Sequence, residues 1–201
     1  GEHNVIAAHF SGPDKVGHRW GTSGLEYYEK IRDIDIEVAL LLKNVPETWT
    51  VIITADHGMT DIGSHGSAEE ITRQVGAFVS GPDIIRNSES SGHQRDIPAL
   101  MTTVLGLPFP IQLHGRVPLE ILDISEQNHN AIETWNWEAA YHRQIFVNEL
   151  NGINSEGLQI DNIDWSKISQ EEVFSRDIDI ALSIVNWIII TLLSVVAFGL
   201  I

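Results

Sequence analysis

The chain has 201 residues, no cysteine, and 12 basic against 28 acidic side chains, which gives a formal net charge of -16. Because proteins bind nucleic acid largely by neutralising phosphates with lysine and arginine, this charge argues against a nucleic-acid-binding protein. The lack of cysteine excludes disulfides and thiolate metal sites within the chain.

The first predicted element is a short buried strand over residues 5–10, VIAAHF, which ends in a Gly-Pro turn. Asp14 lies in this turn, and His18 follows four residues later. If residues 14–18 form a helical turn, both side chains share a face and can converge on one ion. We expect His9, inside the strand, to be a core residue or a hydrogen-bond partner of a metal ligand.

A helix is predicted next, from about Ser23 to Leu42. Ser23 and Glu26 have the spacing of a capping box, which marks a helix start. Apolar residues then recur every three or four positions, as expected of an amphipathic helix that packs on a sheet. These residues are Leu25, Tyr28, Ile31, Ile34, Val38, Leu41 and Leu42.

The second predicted strand, a buried apolar run at residues 51–55, breaks into the glycine-rich turn TADHGMTDIGSHGS. Asp56 and His57 lie at the carboxyl end of this strand, and His65 follows within the turn. Neighbouring parallel strands present their carboxyl ends to one crevice, so we expect these residues to meet Asp14 and His18 there. The alternative is that each Asp-His pair belongs to an exposed loop without a ligand.

Two aspartates and three histidines exceed the protein ligands of one zinc and suit two ions, with Zn or Mn favoured over Ca or Mg. Two such ions about 3.5–4 Å apart clamp a phosphoryl group, which favours an enzyme acting on phosphate esters. The nearby hydroxyls are interpreted as turn-forming groups rather than nucleophiles. They belong to Thr54, Thr60, Ser64 and Ser67.

Downstream, a strand is predicted over residues 75–79, and a helix from Arg95 or Asp96 to Leu105. His93 and His114 fall in turn-rich stretches and are predicted to be exposed. A further helix is predicted around residues 131–150, covering the domain or approaching a membrane surface.

The last part of the chain changes in composition. Residues 151–179 are predicted to be a mostly solvated polar connector with one or two helical turns. Residues 180–201 carry no charge over 22 positions, which is long enough for a helix to cross a hydrocarbon core of roughly 30 Å. We therefore predict a transmembrane helix there.

Three stretches carry a resemblance to a known family: HFSGPDKVGHRWG, TADHGMTDIGSHGS and QRDIPALMTTVLGLPFP. They resemble the alkaline phosphatase superfamily, which includes type I phosphodiesterases, and most closely the catalytic domain of GPI ethanolamine phosphate transferases. The resemblance covers roughly residues 4–122 and implies an α/β fold with a mixed or parallel sheet and flanking helices. Residues 1–127 would then be the C-terminal part of this catalytic domain, residues 128–179 a connector and residues 180–201 the membrane helix.

The resemblance also implies how the predicted ligands divide between two Zn²⁺ ions. Asp14, His18 and His65 would hold one ion, and Asp56 with His57 the other. In the superfamily the second ion is completed by another Asp and by a nucleophilic Thr or Ser, which have no convincing counterpart here.

The missing groups lead to an expectation about the start of the chain. The sequence begins at Gly1, without a methionine and almost directly in the first predicted strand. We therefore expect the nucleophilic Thr or Ser to lie upstream of Gly1, in an N-terminal half of the domain that this fragment lacks. A fragment of this kind would be inactive alone.

Two further expectations follow from the resemblance. Gln94 and Asp96 are predicted to be structural rather than catalytic, because that segment frames the domain edge in the family. His114 is a less favoured alternative ligand, since related phosphodiesterases take a zinc histidine from a distant glycine turn.

The function implied is transfer of a phosphoethanolamine-type group to a lipid or glycolipid phosphoester substrate at a membrane, with the catalytic domain extracytoplasmic or in the ER lumen. One alternative is a membrane-anchored phosphodiesterase or phosphatase of the same superfamily. A sulfatase or phosphoglycerate mutase relative fits the Asp-His-Gly-Met loop less well. A metal-free, membrane-tethered binding domain is the alternative from another functional class.

Overall fold

The computed structural model of this chain describes residues 5–66, 69–109 and 113–163. The described residues divide into two compact units, one up to residue 133 and one from residue 134 onward. The helices are α1 (Gly12–Trp20), α2 (Leu25–Leu42), α3 (Glu70–Arg73), α4 (Asp96–Val104) and α5 (Glu126–Leu150), with 3-10 turns at Leu119–Ile121 and Ile160–Asn162. The strands are β1 (Val51–Thr54) and β2 (Ala77–Ser80).

The two strands form a small sheet in the first unit. β1 confirms the strand predicted at 51–55, but none of its residues is buried and Ile53 is exposed. β2 begins two residues later than predicted. They pair antiparallel, with Val51 opposite Ser80 and Thr54 opposite Ala77. The helices and this sheet are compatible with the predicted α/β class. In the described residues, however, no parallel pair of strands brings the predicted ligands together.

The strand predicted over residues 5–10 is wrong, because this segment has no regular secondary structure. Val5 and Ile6 are 50% and 69% exposed, and His9 is exposed rather than a core residue. A strand gains its stability from a hydrogen-bonded neighbour, and none pairs with this segment within the part of the chain that is described.

The helical turn predicted for residues 14–18 is confirmed as part of α1, which begins at Gly12 with a proline in its first turn. A proline there costs no helical hydrogen bond. α2 is also confirmed as a helix, but its N-cap is Gly24 and no side-chain capping hydrogen bond forms among the described residues. The predicted capping box is therefore wrong.

The neighbour of α2 also differs from the prediction, because α2 packs against α1 rather than against the sheet. Gly12 lies beside the side chains of Lys30 and Ile34, and Gly17 lies beside Tyr27. The missing side chains at Gly12 and Gly17 thus allow the two helices to approach. None of the residues of α2 is buried in the part of the structure that is described.

The apolar core of the first unit lies mainly around α4 and the segment that follows it. The predicted helix is confirmed as α4, whose Ala99 and Leu100 are almost fully buried. Ile84 forms an isolated antiparallel bridge with Leu122, and the Ile85 N–H donates to the Ile121 carbonyl at 2.9 Å. These bonds close the core along one side of this unit.

Most of α5 belongs to the second unit. It confirms the helix predicted around 131–150 but begins earlier, at Glu126. Residues 151–163 were predicted to belong to a mostly solvated connector with one or two helical turns. Most of them are exposed and a 3-10 turn lies at Ile160–Asn162, and Ile163 alone of the described residues in this stretch is buried. Ile163 is buried and clusters with Ala140, with Trp137 and Tyr141 packed against them. Burial of the apolar Ile163 side chain favours packing of this segment against α5 over its exposure to solvent.

Membrane insertion was predicted for residues 180–201. This range and residues 164–179 lie outside the described residues. Within the described ranges, no helix combines the length and the apolar composition required to cross a bilayer.

Candidate metal centre

The loop after β1 is shaped by its own hydroxyl groups. The Thr60 N–H donates to the Ser64 carbonyl at 2.8 Å, and the Thr60 hydroxyl accepts from the Ser64 N–H at 3.0 Å. The Thr54 hydroxyl donates to the Gly76 carbonyl at 3.2 Å. This confirms the turn-forming interpretation for Thr60, whereas the Thr54 hydroxyl bonds the segment before β2 and Ser64 takes part through its backbone. Ser67 lies outside the described residues.

The same loop lies directly against α1, and glycines permit this approach. Gly63 has a φ of +80°, and a β-carbon on it would collide with the Gly17 carbonyl. Met59 is buried with its sulfur against Gly17, and the Thr22 N–H donates to the Asp61 carbonyl at 3.1 Å. The close contact of loop and helix places His65, near the end of the loop, beside Asp14 and His18 on α1.

Three of the predicted ligands meet at this contact. The Asp14 Oδ1 atom lies 3.4 Å from His18 Nε2 and 3.5 Å from His65 Nε2. The two Nε2 atoms are 3.0 Å apart. Asp14 and His18 share one face of α1, as their spacing indicated, and the loop brings His65 to them.

The buried oxygen of Asp14 shows what this cluster is suited to hold. Asp14 Oδ1 is buried and has no hydrogen-bond partner among the described residues. Leaving a buried charged acceptor without a partner is costly, at about 1–3 kcal/mol or more. In a tetrahedral zinc site with bonds of about 2.0–2.1 Å, ligand atoms lie roughly 3.3 Å apart, close to the spacing found here.

The orientation of His18 is set by the loop. Its Nδ1 atom lies 2.8 Å from the Gly63 carbonyl, and because a carbonyl can only accept, Nδ1 carries the proton. In the neutral ring the lone pair is then on Nε2, the atom that faces Asp14 and His65. A hydrogen bond of this kind is the usual support of a metal-binding histidine.

Asp56 and His57 lie next to this cluster but do not join it. The group of converging ligand atoms in the described residues comprises Asp14, His18 and His65. The Asp56 side chain is 78% exposed, with Oδ2 3.7 Å from His57 Nε2 and Oδ1 accepting from the His57 N–H at 3.1 Å. His57 Nδ1 donates to the Gly58 carbonyl at 2.9 Å, which leaves Nε2 available as a ligand atom.

The ring of His57 connects the pair to the cluster. It stacks on the ring of His65, with centroids 4.0 Å apart and planes inclined by 27°. The two predicted ligand sets are therefore neighbours in space, joined through two imidazoles of one loop.

The nucleophilic Thr or Ser was expected upstream of Gly1 and stays a prediction. Gly1 and the three residues after it lie outside the described residues. The hydroxyls of Thr54 and Thr60, which lie near the ligands, are engaged with backbone carbonyls of the loop and its neighbour. Their bonds agree with a turn-forming role and give no support to a local substitute for the expected nucleophile.

The remaining candidate residues lie elsewhere. His93 and His114 are exposed, as predicted. Asp96 is buried and accepts the His93 N–H at 2.8 Å and the Arg116 N–H at 2.9 Å, which is a structural role. The Gln94 side-chain amide donates to the Ala55 and Asp56 carbonyls, at the start of the loop after β1, which we call the metal loop. The position of Gln94 in the sequence, two residues before Asp96, did not indicate this contact.

Comparison with known proteins identifies the family. The family model of type I phosphodiesterase / nucleotide pyrophosphatase matches residues 1–131, which is well over half of the chain. The chain belongs to this family. All five predicted metal ligands lie in the matched part of this type I phosphodiesterase-family chain.

Curated relatives agree with the resemblance seen in the sequence. GPI ethanolamine phosphate transferase 1 of Schizosaccharomyces pombe is 29% identical over 160 residues, covering 66% of this chain and 17% of that protein. The human GPI ethanolamine phosphate transferase 3 catalytic subunit is 29% identical over 133 residues, covering 64% and 12%. The Saccharomyces cerevisiae transferase 1 is 28% identical over 150 residues, covering 62% and 16%.

This type I phosphodiesterase-family chain therefore spans less than a fifth of the length of these relatives. The resemblance to GPI ethanolamine phosphate transferases is confirmed by the matches. No solved structure matches the chain.

Proposed function

We propose that this chain carries metal-binding residues of a phosphotransferase that moves a phosphoethanolamine-type group to a glycolipid. The observation that supports this most directly is the buried Asp14 Oδ1 atom, which has no hydrogen-bond partner among the described residues and faces Nε2 of His18 and His65. The choice of reaction rests on the relatives, which are named GPI ethanolamine phosphate transferases.

The residues fit zinc in two sets. Asp14, His18 and His65 offer one carboxylate and two imidazoles, a ligand type that suits Zn²⁺ or Mn²⁺. Asp56 and His57 would belong to a second ion, which needs ligands beyond those present here. Bound zinc would supply Lewis-acid polarisation of a phosphoryl group and a lowered pKa for the attacking hydroxyl.

The chain's own groups would orient the site and leave it open to substrate. The Gly63 carbonyl holds the His18 ring, and the His57 ring lies flat on His65. Among the described residues, no atom lies within 4 Å of the position that a β-carbon on Gly66, which has a φ of +82°, would take. A phosphate ester would approach His65 from this side of the loop.

A membrane substrate is the second part of the proposal. Residues 180–201 have the length and composition of a membrane helix, and a tether close to the domain suits a glycolipid acceptor on the extracytoplasmic or ER-luminal side. The second candidate is a phosphodiesterase or phosphatase, favoured by the family description itself. In that case water would replace the acceptor hydroxyl.

The test uses the purified full-length protein, including any residues upstream of Gly1, its metal content and a labelled phosphoethanolamine donor. We expect tightly bound zinc and transfer of label to a glycolipid acceptor, with the zinc content lowered and the transfer lost in His65→Ala. His93→Ala is the matched control, because His93 is exposed and lies outside the ligand cluster. Release of free phosphoethanolamine without transfer would support the hydrolase, and zinc binding unchanged by His65→Ala would overturn the proposed site.

A further inference from the structure

We infer that Gln94 is a positioning residue for the metal loop, acting on Asp56 and His57 through the backbone. This inference rests on the proposed function, since it concerns the second set of proposed zinc ligands. The observation is that the Gln94 side-chain amide donates to the Ala55 carbonyl at 2.8 Å and to the Asp56 carbonyl at 2.7 Å.

These carbonyls lie where the sheet stops. The pairing of β1 with β2 ends at Thr54, opposite Ala77, so Ala55 and Asp56 are the first residues past the ladder. The ladder supplies no donor to these two exposed carbonyls, and the Gln94 amide donates to both. The Gln94 side chain thereby bonds the backbone of the two residues that follow the strand, the second of which is the proposed ligand Asp56.

The segment that carries Gln94 is itself held firmly. Asp96 is buried and accepts the His93 N–H on one oxygen and the Arg116 N–H on the other. Gly115 lies directly against the Arg95 carbonyl, where a β-carbon would collide with the backbone. Gln94 therefore extends from an anchored turn to the metal loop.

The Asp56 side chain is held mainly by its neighbour in the sequence. It is 78% exposed, and it contacts the adjacent His57 through the His57 N–H at 3.1 Å and Nε2 at 3.7 Å. A metal ligand must be held within about 0.5 Å of its productive position, and here the backbone has to provide that restraint. Gln94 contacts this backbone from a distant part of the sequence.

The variant Gln94→Ala removes both hydrogen bonds. Loss of an outer partner typically weakens metal affinity about 10- to 100-fold, and we expect a loss of this size for zinc. Gln74→Ala is the matched control, because Gln74 is also an exposed glutamine of the same unit and its amide bonds Glu70 rather than the metal loop. If Gln94→Ala is poorly folded, Gln94→Asn replaces it, since it keeps the amide on a shorter side chain.

A double-mutant cycle with Asp56→Ala distinguishes positioning from general support of the fold. We expect Gln94→Ala to weaken zinc binding in the wild-type background and to have a clearly smaller effect once the Asp56 side chain is removed, with His57 alone left to be positioned. An equal loss in both backgrounds, or no loss relative to Gln74→Ala, would overturn the inference while the proposed function stands. A wild-type protein that binds no zinc would overturn both.

Discussion

The imidazole of His57 lies on the imidazole of His65, with ring centroids 4.0 Å apart, so the two proposed ligand sets share one stacked pair of rings. His65 contacts Asp14 and His18, whereas His57 contacts Asp56. One glycine-rich loop thus supplies a ligand candidate to each set. Substitutions in this loop should therefore affect metal binding by both ligand sets.

The first prediction concerns the cluster on α1. His18→Ala removes one of three proposed ligands and should weaken zinc binding by more than the roughly 10- to 100-fold typical of losing an outer partner. Zinc affinity measured by competition with a chelator tests this. His93→Ala, at an exposed histidine outside the cluster, should bind zinc like the wild type.

The second prediction separates the backbone conformation of the loop from its contact with α1. Gly63 and Gly66 both have positive φ, at +80° and +82°, but among the described residues only Gly63 has close neighbours, in the Gly17 backbone. Gly66→Ala should cost about 1–2 kcal/mol through its left-handed conformation alone. Gly63→Ala should cost clearly more in urea unfolding and should also weaken zinc binding. Equal losses for the two variants would contradict the close-contact explanation.

The third prediction concerns Asp96, whose buried carboxylate accepts two backbone N–H groups, from His93 and Arg116. Asp96→Ala leaves both donors without this partner and should lower the free energy of unfolding by about 1–3 kcal/mol or more. Asp35→Asn, at an exposed position on α2, should change it by less than about 0.5 kcal/mol. Urea denaturation compares the two, and equal effects would remove the structural role of Asp96.

The fourth prediction is a dependence of stability on acid. Burial raises the pKa of Glu120, but hydrogen bonds from Ser90 and from its own N–H, with the charge of Arg116, outweigh burial and hold this pKa below 4.5. A depressed pKa stabilises the fold above pH 4.5, and this stabilisation is lost as pH falls through the lowered value.

The variant Glu120→Gln should therefore lose stability at neutral pH and show a flatter decline toward acid than the wild type. Urea midpoints measured along a pH series test this. Glu37→Gln, on the exposed side of α2, serves as the matched control and should follow the wild-type curve. A Glu120→Gln curve parallel to that of the wild type would exclude the proposed contribution.

The fifth prediction concerns the return of the chain to α5. Ile163 is 7% exposed and clusters with Ala140, whereas Ile153 is 56% exposed. Ile163→Ala should destabilise the second unit by about 2–4 kcal/mol, and Ile153→Ala by well under that amount. Hydrogen exchange of α5 amides reports on this unit directly. Similar protection in the two variants would show that the Ile163 contact contributes little.

Several features of the site were predictable from the sequence because they depend on neighbours along the chain. Asp14 and His18 share a helix face because four residues make about one helical turn. Thr60 and Ser64 form turn hydrogen bonds within their own loop. The ligand types in the Asp-His-Gly-Met loop indicated the family, which the family match confirms.

Other features depend on segments that are distant along the chain. The resemblance implied that Asp14, His18 and His65 share one ion, but only the tertiary structure decided which contacts bring them together. His65 meets Asp14 because Gly63 and Gly17 let two backbones come into contact, which no local periodicity encodes. Gln94 bonds the Asp56 carbonyl from 38 residues away, a contact that the spacing of the two residues in the sequence does not indicate. Residues 5–10 have the composition of a strand, but strand formation requires a pairing partner, and composition alone cannot supply one.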